Sequence, residues 1–550
     1  MELPFIVGGI FAVFLLKSLI KRLLYPQPLP ESRDLPSIAS TYKKLTEFSF
    51  PIARRSLKFG SPIFQLFMNP FSKPYVMIDD PREVTDLLLR RNKEFDKSIA
   101  GGVWQTFLPY STIAQRTTHE WKTQRKTWQD SMNPDFLRRV VAKHIYAAAT
   151  DLTKLWEVRN LKSNGLPVDV SSDFSYAALD AIWTATFGEQ LDLAKAQMEM
   201  VETGKKIQTK GLDMHSTVQY INELANAWRG ALWPAWTRWR MLRNPNYIKY
   251  MEVKDREIDR ILLDASARFQ RLLDGTSDGE EHDTCAMDLI LRRSMLAAQK
   301  SGKPVPDPTK DQRMRDELLL FIYAGHDTTS TTLQWFVKFM TNNPEAQVKL
   351  RNALKAVFPG DSLPEVGDII NTDVPYLNAT IEETLRCAGT AGRTTRTTRT
   401  STTDTELFGH KIPIGTEIAL ITTTQWHPPQ VSEDLRSPSS RAAFQKSGGL
   451  NWTSAPAAQN LDQFAPERWF KYDEEGNEVF DSGALFQNAF GGGTRGCFGR
   501  HLAMMELRIM ITLIIMRFKM RPVPLELNSF QVTEKLLRTP RQCFLKLEAA

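Results

Sequence analysis

Cysteine is scarce in this chain. Cys285, Cys387, Cys497 and Cys543 are spread through 550 residues, and no CxxC occurs. Disulfide scaffolds and zinc ribbons need clustered sulfurs, so both are excluded. A strong charge of one sign is also missing. Lys and Arg number 70 against 63 acidic residues, a net charge of +7 with no long basic block. Nucleic-acid binding finds no support, while an anionic membrane surface or an acidic protein partner stays open. No internal repeat stands out. Hydrophobic residues make up 42% and charged residues 24%, which excludes wholesale disorder. The length suffices for a large core and, as a prior alone, suggests three or four domains.

One long apolar run is present. Leu3–Leu16, LPFIVGGIFAVFLL, carries no charge, and the run reaches Ile20 if Lys17 snorkels. About 18 residues at about 1.5 Å each span about 27 Å, enough for a thin bilayer. A cleaved signal peptide would want a basic start and a small-residue cleavage site. Here Glu2 precedes the run, and Lys17, Lys21 and Arg22 follow its apolar part. The expectation is an uncleaved anchor over 1–24, with its start lumenal and the rest cytoplasmic. Pro26, Pro28 and Pro30 make a stiff connector over 25–32. A cytoplasmic body leaves the sequon at Asn451 unmodified and the cysteines unpaired.

Residues 33–270 read as mostly helical, with a short strand at Pro74–Ile78 before a helix at about Pro81–Arg91. A polar loop spans 274–283, a helix 286–300, and a long helix runs from Asp311 to Thr341. Strands and turns occupy 393–426, and the polar Gly/Ser/Pro-rich stretch 429–460 reads as a surface insertion. An apolar helix follows at about Arg500–Met516. This order predicts an α+β or mostly α fold.

Four constellations carry possible chemistry. Cys497 lies in the glycine-rich run Phe490–Gly499, just before a helix whose free N–H groups favour a thiolate. A single sulfur ligand beside Arg495 suits haem, since zinc and iron–sulfur sites need several ligands. A buried structural cysteine is the plain alternative. Gly491, Gly493 and Gly496 also match a dinucleotide fingerprint, but no acid follows in 509–520 and no βαβ unit frames it. In the long helix, Ala324, Asp327 and Thr328 place an acid and a hydroxyl beside a small residue, which suits proton delivery. The threonine run there can bond back to carbonyls and bend the helix. His326 is assigned no role. Glu383 and Arg386 share a helix face, and Arg468 is placed to complete a Glu–Arg–Arg network. Trp121 and Arg125 put an indole N–H and a guanidinium on one face, suited to a carboxylate.

Together these motifs resemble the cytochrome P450 family, haem-thiolate monooxygenases. The pattern F-x-x-G-x-R-x-C-x-G is met by Phe490, Gly493, Arg495, Cys497 and Gly499. A-G-x-D-T-T is met at Ala324–Thr329, E-x-x-R by Glu383 and Arg386, P-E-R at Pro466–Arg468, and W-x-x-x-R by Trp121 and Arg125. The resemblance covers about 30–545. It implies a mostly helical triangular prism with small β-sheets, one catalytic domain over 33–550 behind an N-terminal transmembrane helix. It implies haem b with Cys497 as axial thiolate, Thr328 and Asp327 as the proton relay, and Glu383, Arg386 and Arg468 as a structural triad. Trp121, Arg125 and Arg495 resemble haem-propionate partners, and a further one is expected at Arg399, with Arg396 as the alternative. Phe490 and Gly499 belong to the haem-binding loop.

The implied partners are NADPH-cytochrome P450 reductase, O2, an apolar small molecule and membrane lipid, in the endoplasmic reticulum membrane. Lys122, Lys126 and Arg500 suggest a basic docking face. Trp104, Phe107, Tyr110, Phe321 and Ile322 are candidate pocket residues. The RGCFGRHLA loop resembles filamentous-fungal members, many of which act in secondary-metabolite biosynthesis; fatty-acid, sterol or xenobiotic hydroxylation is the alternative. An isomerase or dehydratase that uses no O2 is a rival that the Asp327–Thr328 pair opposes. A non-enzymatic anchored binding protein is opposed by that pair and the thiolate loop together. Two departures stand out. Cys387–Gly392 replaces the usual proline-rich turn, so this wall is expected to be more open or mobile. The insertion at 429–460 is longer than usual.

Overall fold

A computed structural model of the chain describes residues 37–39, 55–67, 74–98, 102–229, 234–273, 283–302, 307–360, 362–390, 398–421, 426–447, 456–534 and 537–550, with a few single positions besides. The expected anchor, apart from Val13 and Leu16, the proline connector, Arg396, most of the 274–283 loop and the sequon lie outside them. Among the described residues no helix is long and apolar enough to cross a membrane. The fold is mostly helical with small sheets.

The chain falls into two compact units. The first comprises 1–100, 393–451 and 491–496. Its six-stranded mixed sheet runs in the order Ser37–Ala39, Ile63–Phe67, Tyr75–Ile78, Glu417–Leu420, Thr398–Ser401 and Phe95–Lys97. The Tyr75–Ile78 strand is nearly buried throughout and leads into the helix Pro81–Leu89. Asp80 starts that helix by accepting the Glu83 N–H at 2.9 Å, with Pro81 in the first turn.

The described part of 429–460 lies largely at the surface, as expected of an insertion. It contains a helix, Pro438–Lys446, whose cap Ser437 accepts the Ser440 N–H. Arg436 is buried and forks onto Asp80 at 2.8 and 2.9 Å, and Ser437 and Ser439 donate to Asp86. Gln430, Ser432, Glu433, Asp434, Gln445 and Lys446 are exposed, while Arg436, Ser437 and Ser439 face the buried carboxylates.

The second unit comprises 101–392, 452–490 and 497–550. Its axis is the helix Gln312–Asn342, within one residue of the expected bounds at each end. Asp311 caps it by accepting the Met314 N–H at 3.0 Å, and Pro344 follows its end. It packs on the helix Ser171–Phe187 so closely that a Cβ on Gly325 would lie 2.6 Å from Ile182. Glycine is required there by the neighbouring helix, not by its own backbone angles. The helix Ala286–Lys300 matches its expected range, and Arg500–Arg517 is apolar on nearly all sides because it is buried.

Candidate active site

Residues 491–496 of the thiol-bearing stretch belong to the first unit and Phe490 and 497–499 to the second, and each part has its own anchoring. In the first, Gly493 sits at φ +64°, and a Cβ there would meet the Leu88 carbonyl oxygen at 2.0 Å. No other residue fits without moving the end of the Pro81–Leu89 helix. Arg495 belongs to this part, on the turn Gly493–Arg495. In the second, the Cys497 N–H donates to the Phe490 carbonyl at 2.7 Å, which fixes the thiol on its loop. Gly499 starts the helix Arg500–Arg517, and its N–H reaches the sulfur. A Cβ on Gly499 would meet nothing within 4 Å, so its N–H, not its lack of a side chain, acts here.

Cys497 is exposed at its surface, yet protein crowds the sulfur. Loss of hydration pushes the thiol above its ordinary pKa, and the Gly499 N–H, Arg125 and Arg500 offset this only partly. The N–H at the helix start acts in the expected direction, toward the thiolate, against the effect of burial.

Arg125 lies in the helix His119–Trp128, half-buried, 4.5 Å from the Phe498 ring and 5.5 Å from Trp121. Burial lowers its pKa while Cys497 and Glu317 raise it. Trp121 differs from expectation. Its indole N–H donates to the Thr112 carbonyl at 3.0 Å, so the donor meant for a ligand carboxylate is engaged within the protein. Arg399, in the first unit, is buried in the strand Thr398–Ser401, and burial pushes its pKa down to about 10 against the pull of Asp96. A guanidinium so placed favours an anion beside it.

The long helix presents an open face. Its middle is buried from Met314 to Tyr323, then Ala324 is exposed and Gly325, Asp327 and Thr328 are partly so. The Thr328 hydroxyl donates to the Ala324 carbonyl at 2.8 Å, the back-bond expected of this run, though the helix stays continuous. Asp327 accepts from the Asn222 amide at 3.4 Å. His326 is buried, with Nδ1 against the Ile322 carbonyl.

The triad assembles as expected. Arg386 donates twice to Glu383 at 2.7 Å and Arg468 once at 3.0 Å. Burial opposes the Glu383 charge, but the Arg386 bonds, the two guanidinium charges and the Ala465 N–H overcome it and hold the pKa below its ordinary value. The Trp469 indole also donates to Glu383 at 3.0 Å, and both arginines bind loop carbonyls between 457 and 463.

Three other expectations change. The wall at 387–390 is not loose: Ala388 and Thr390 are buried, the Arg538 guanidinium donates to the Ala388 carbonyl, its N–H to the Thr390 carbonyl, and Thr390 meets the Thr332 hydroxyl at 3.0 Å. Residues 391–397 lie outside the described chain. Of the pocket candidates, Ile322 and Phe321 are packed in the core, Trp104 and Phe107 are half-buried against it, and Tyr110 is exposed. Sequence reasoning also missed Glu317. It is buried, accepts from the Thr112 N–H and hydroxyl and from Gln124, and so ties the segment before Trp121 to the long helix. Its one signal was an acid entering an otherwise apolar helix face.

A family model described as Cytochrome P450 matches residues 43–432 and 459–547. The chain belongs to the cytochrome P450 family. The gap in the match, 433–458, coincides with the insertion read from the sequence. The chain is 31% identical to a cytochrome P450 monooxygenase, GME11363, of Pestalotiopsis microspora, over 98% of each. It is 30% identical to the cytochrome P450 monooxygenase TRI13 of Fusarium sporotrichioides, over 88% of this chain and 87% of that one. The fold resembles the crystal structure of a cytochrome P450, CYP102L1, at TM-score 0.66 and 18% identity, covering 96% of this chain and 100% of that one. Cytochromes P450 are haem-thiolate enzymes, and the donors here fit: one surface-facing sulfur on a fixed loop, with Arg125 and Arg500 around it. The chain is an oxidoreductase of the monooxygenase type, which uses a redox partner, O2 and a small-molecule substrate.

Proposed function

We propose that this P450 is a single-pass enzyme of the endoplasmic reticulum membrane that oxygenates an apolar product of fungal secondary metabolism, with electrons from NADPH-cytochrome P450 reductase. The observation that carries the chemistry is the back-bonded Thr328 on the open face of the long helix, beside Asp327. Haem, when bound, supplies dioxygen activation and oxidation of the substrate. Cys497 would hold it through sulfur, and Arg125, Arg399 and Arg495 would serve as cations for its propionates; Trp121 would help by fixing the Thr112 segment. Asn222 orients the Asp327 carboxylate, Asp327 takes a proton from solvent, and Thr328 Oγ1 passes it to the open face.

Lys122, Lys126 and Arg500 are exposed and form the basic patch offered to an acidic reductase. The apolar run Leu3–Ile20 supports the membrane placement. A reduced carbon-monoxide difference spectrum tests the ligand: a thiolate-type Soret band in the wild type, lost in Cys497→Ala, is expected. Thr328→Ala should divert reductant to peroxide; unchanged coupling would remove the relay role. Turnover without NADPH or O2 would favour an isomerase.

A further inference from the structure

The helix Pro81–Leu89 is held at both ends by segments distant in the chain. Its start carries three buried carboxyls, Asp80, Glu83 and Asp86. Arg436 comes from the stretch that the family model leaves unmatched. It forks onto Asp80 at 2.8 and 2.9 Å and lies 3.9 Å from Glu83. Ser437 and Ser439 donate to Asp86 at 2.7 and 2.6 Å, beside its other partner Arg90. On the outer side, Arg82 pairs with Glu433 and lies 3.8 Å over the Phe444 ring. At the other end, a Cβ on Gly492 would lie 3.2 Å from the Leu89 side chain, and one on Gly493 would strike the Leu88 carbonyl. The Gly496 N–H closes that turn on the Gly493 carbonyl at 3.0 Å, and Gly496 is bonded to Cys497. All of these groups except Cys497 belong to the first unit.

A buried ion pair adds little net stability over apolar packing of the same volume, but its geometry can fix register. Helical residues at about 1.5 Å each make Pro81–Leu89 a stiff strut about 13 Å long. Charge sets one end of it, and the other rests on glycines with no slack for a shift. We propose that Arg436, with Ser437 and Ser439, is a positioning group for the haem-thiolate loop. The insertion fixes the helix, and the helix fixes the turn Gly493–Arg495, from which the chain enters Cys497. Without Arg436, Asp80 and Glu83 are left charged in a poorly solvated place or must take up protons. In either state the helix start loses its fixed seat, and the turn at the far end follows. A surface insertion thereby reaches the sulfur through one short helix.

Two rates test it on the full-length, haem-loaded protein. One is haem transfer to apomyoglobin as scavenger. The other is conversion of the reduced carbon-monoxide complex from the thiolate-type band to that of a protonated or displaced sulfur. Both should run about ten-fold faster in Arg436→Met. Arg436→Lys keeps the charge and loses the fork, so its rates should fall between. Ser437→Ala with Ser439→Ala leaves the ion pair intact and should speed both by a smaller factor. Hydrogen exchange at the Gly496 amide should quicken in step, while exchange in the strand Glu417–Leu420 stays the same. Thr400→Val, which loses its bond to Glu417 in the sheet of the same unit, is the control, measured in urea at the unfolding free energy of Arg436→Met. Equal acceleration there assigns the effect to general stability and overturns the proposal. Unchanged rates in Arg436→Lys and in the serine pair overturn it as well, and these two milder variants decide the matter if Arg436→Met takes up no haem.

Discussion

Glu383 and Glu506 lie in the same unit, both entirely buried, and their environments push them in opposite directions. Glu383 accepts from two arginines, an indole and a backbone N–H, and its pKa falls below the ordinary carboxylate value. Glu506, on the helix after the thiol loop, has the Thr329 hydroxyl as its support, and one of its oxygens has no hydrogen-bond partner; burial pushes it up to about 8. Depth is the same for the two. The number and charge of the donors decides whether a buried carboxyl is an anion or a neutral acid at physiological pH.

The sharpest way to break the comparison is to strip Glu383. Arg386→Ala leaves a buried carboxylate without its bidentate partner and should cost about 3–5 kcal/mol, read as a lost unfolding transition or absent 450 nm band. Glu383 is lowered, so its contribution is present above the unfolded pKa and disappears as pH falls through the folded one; acid should release this network in the wild type. The next effect belongs to Glu506. Its folded pKa is raised, so wild-type stability falls as pH climbs from the unfolded value of 4.5 through about 8. Glu506→Gln should flatten that alkaline limb and stabilise by about 2–4 kcal/mol near pH 9, measured by denaturant unfolding across pH. An unchanged alkaline limb would mean that water or another donor satisfies Glu506. The smallest effect is Trp469→Phe, which removes one of the several donors to Glu383 and should cost about 1–2 kcal/mol in the same assay.

These two carboxyls also separate what was legible from what was not. Glu383 and Arg386 are three apart on a helix, and Arg468 follows in a compact motif, so local spacing foretold their pairing. Trp469 was adjacent to that motif, but nothing in the sequence says that its indole reaches Glu383 instead of solvent. Glu506 stood in an apolar helix with no signal of its partner, because Thr329 is more than 170 residues away in the chain. The insertion teaches the same lesson. Ser437-Pro438 is a helix-start signal within the surface insertion, but the contacts of Arg436, Ser437 and Ser439 with Asp80 and Asp86 could not be matched in advance.

The wall after E-x-x-R shows how a missing local constraint is replaced. No proline stiffens 387–390, but Arg538 from the far C-terminus and Thr332 from the long helix hold it. The Trp121 indole is the converse case: its helix face was legible and its partner was not, since Thr112 curls back to accept it.

By itself the sequence determined the bounds of the helices at 286–300 and 311–341, the motif that carries the thiol, the acid–hydroxyl pair and the first two members of the triad, because each depends on residues within a few positions of one another, where helix periodicity and capping act. Tertiary structure alone decided which buried charges are compensated and why glycine is obligatory at 325 and 493. Those outcomes depend on desolvation and on the approach of backbone and side chains from distant segments, and neither is encoded in any local window of the chain.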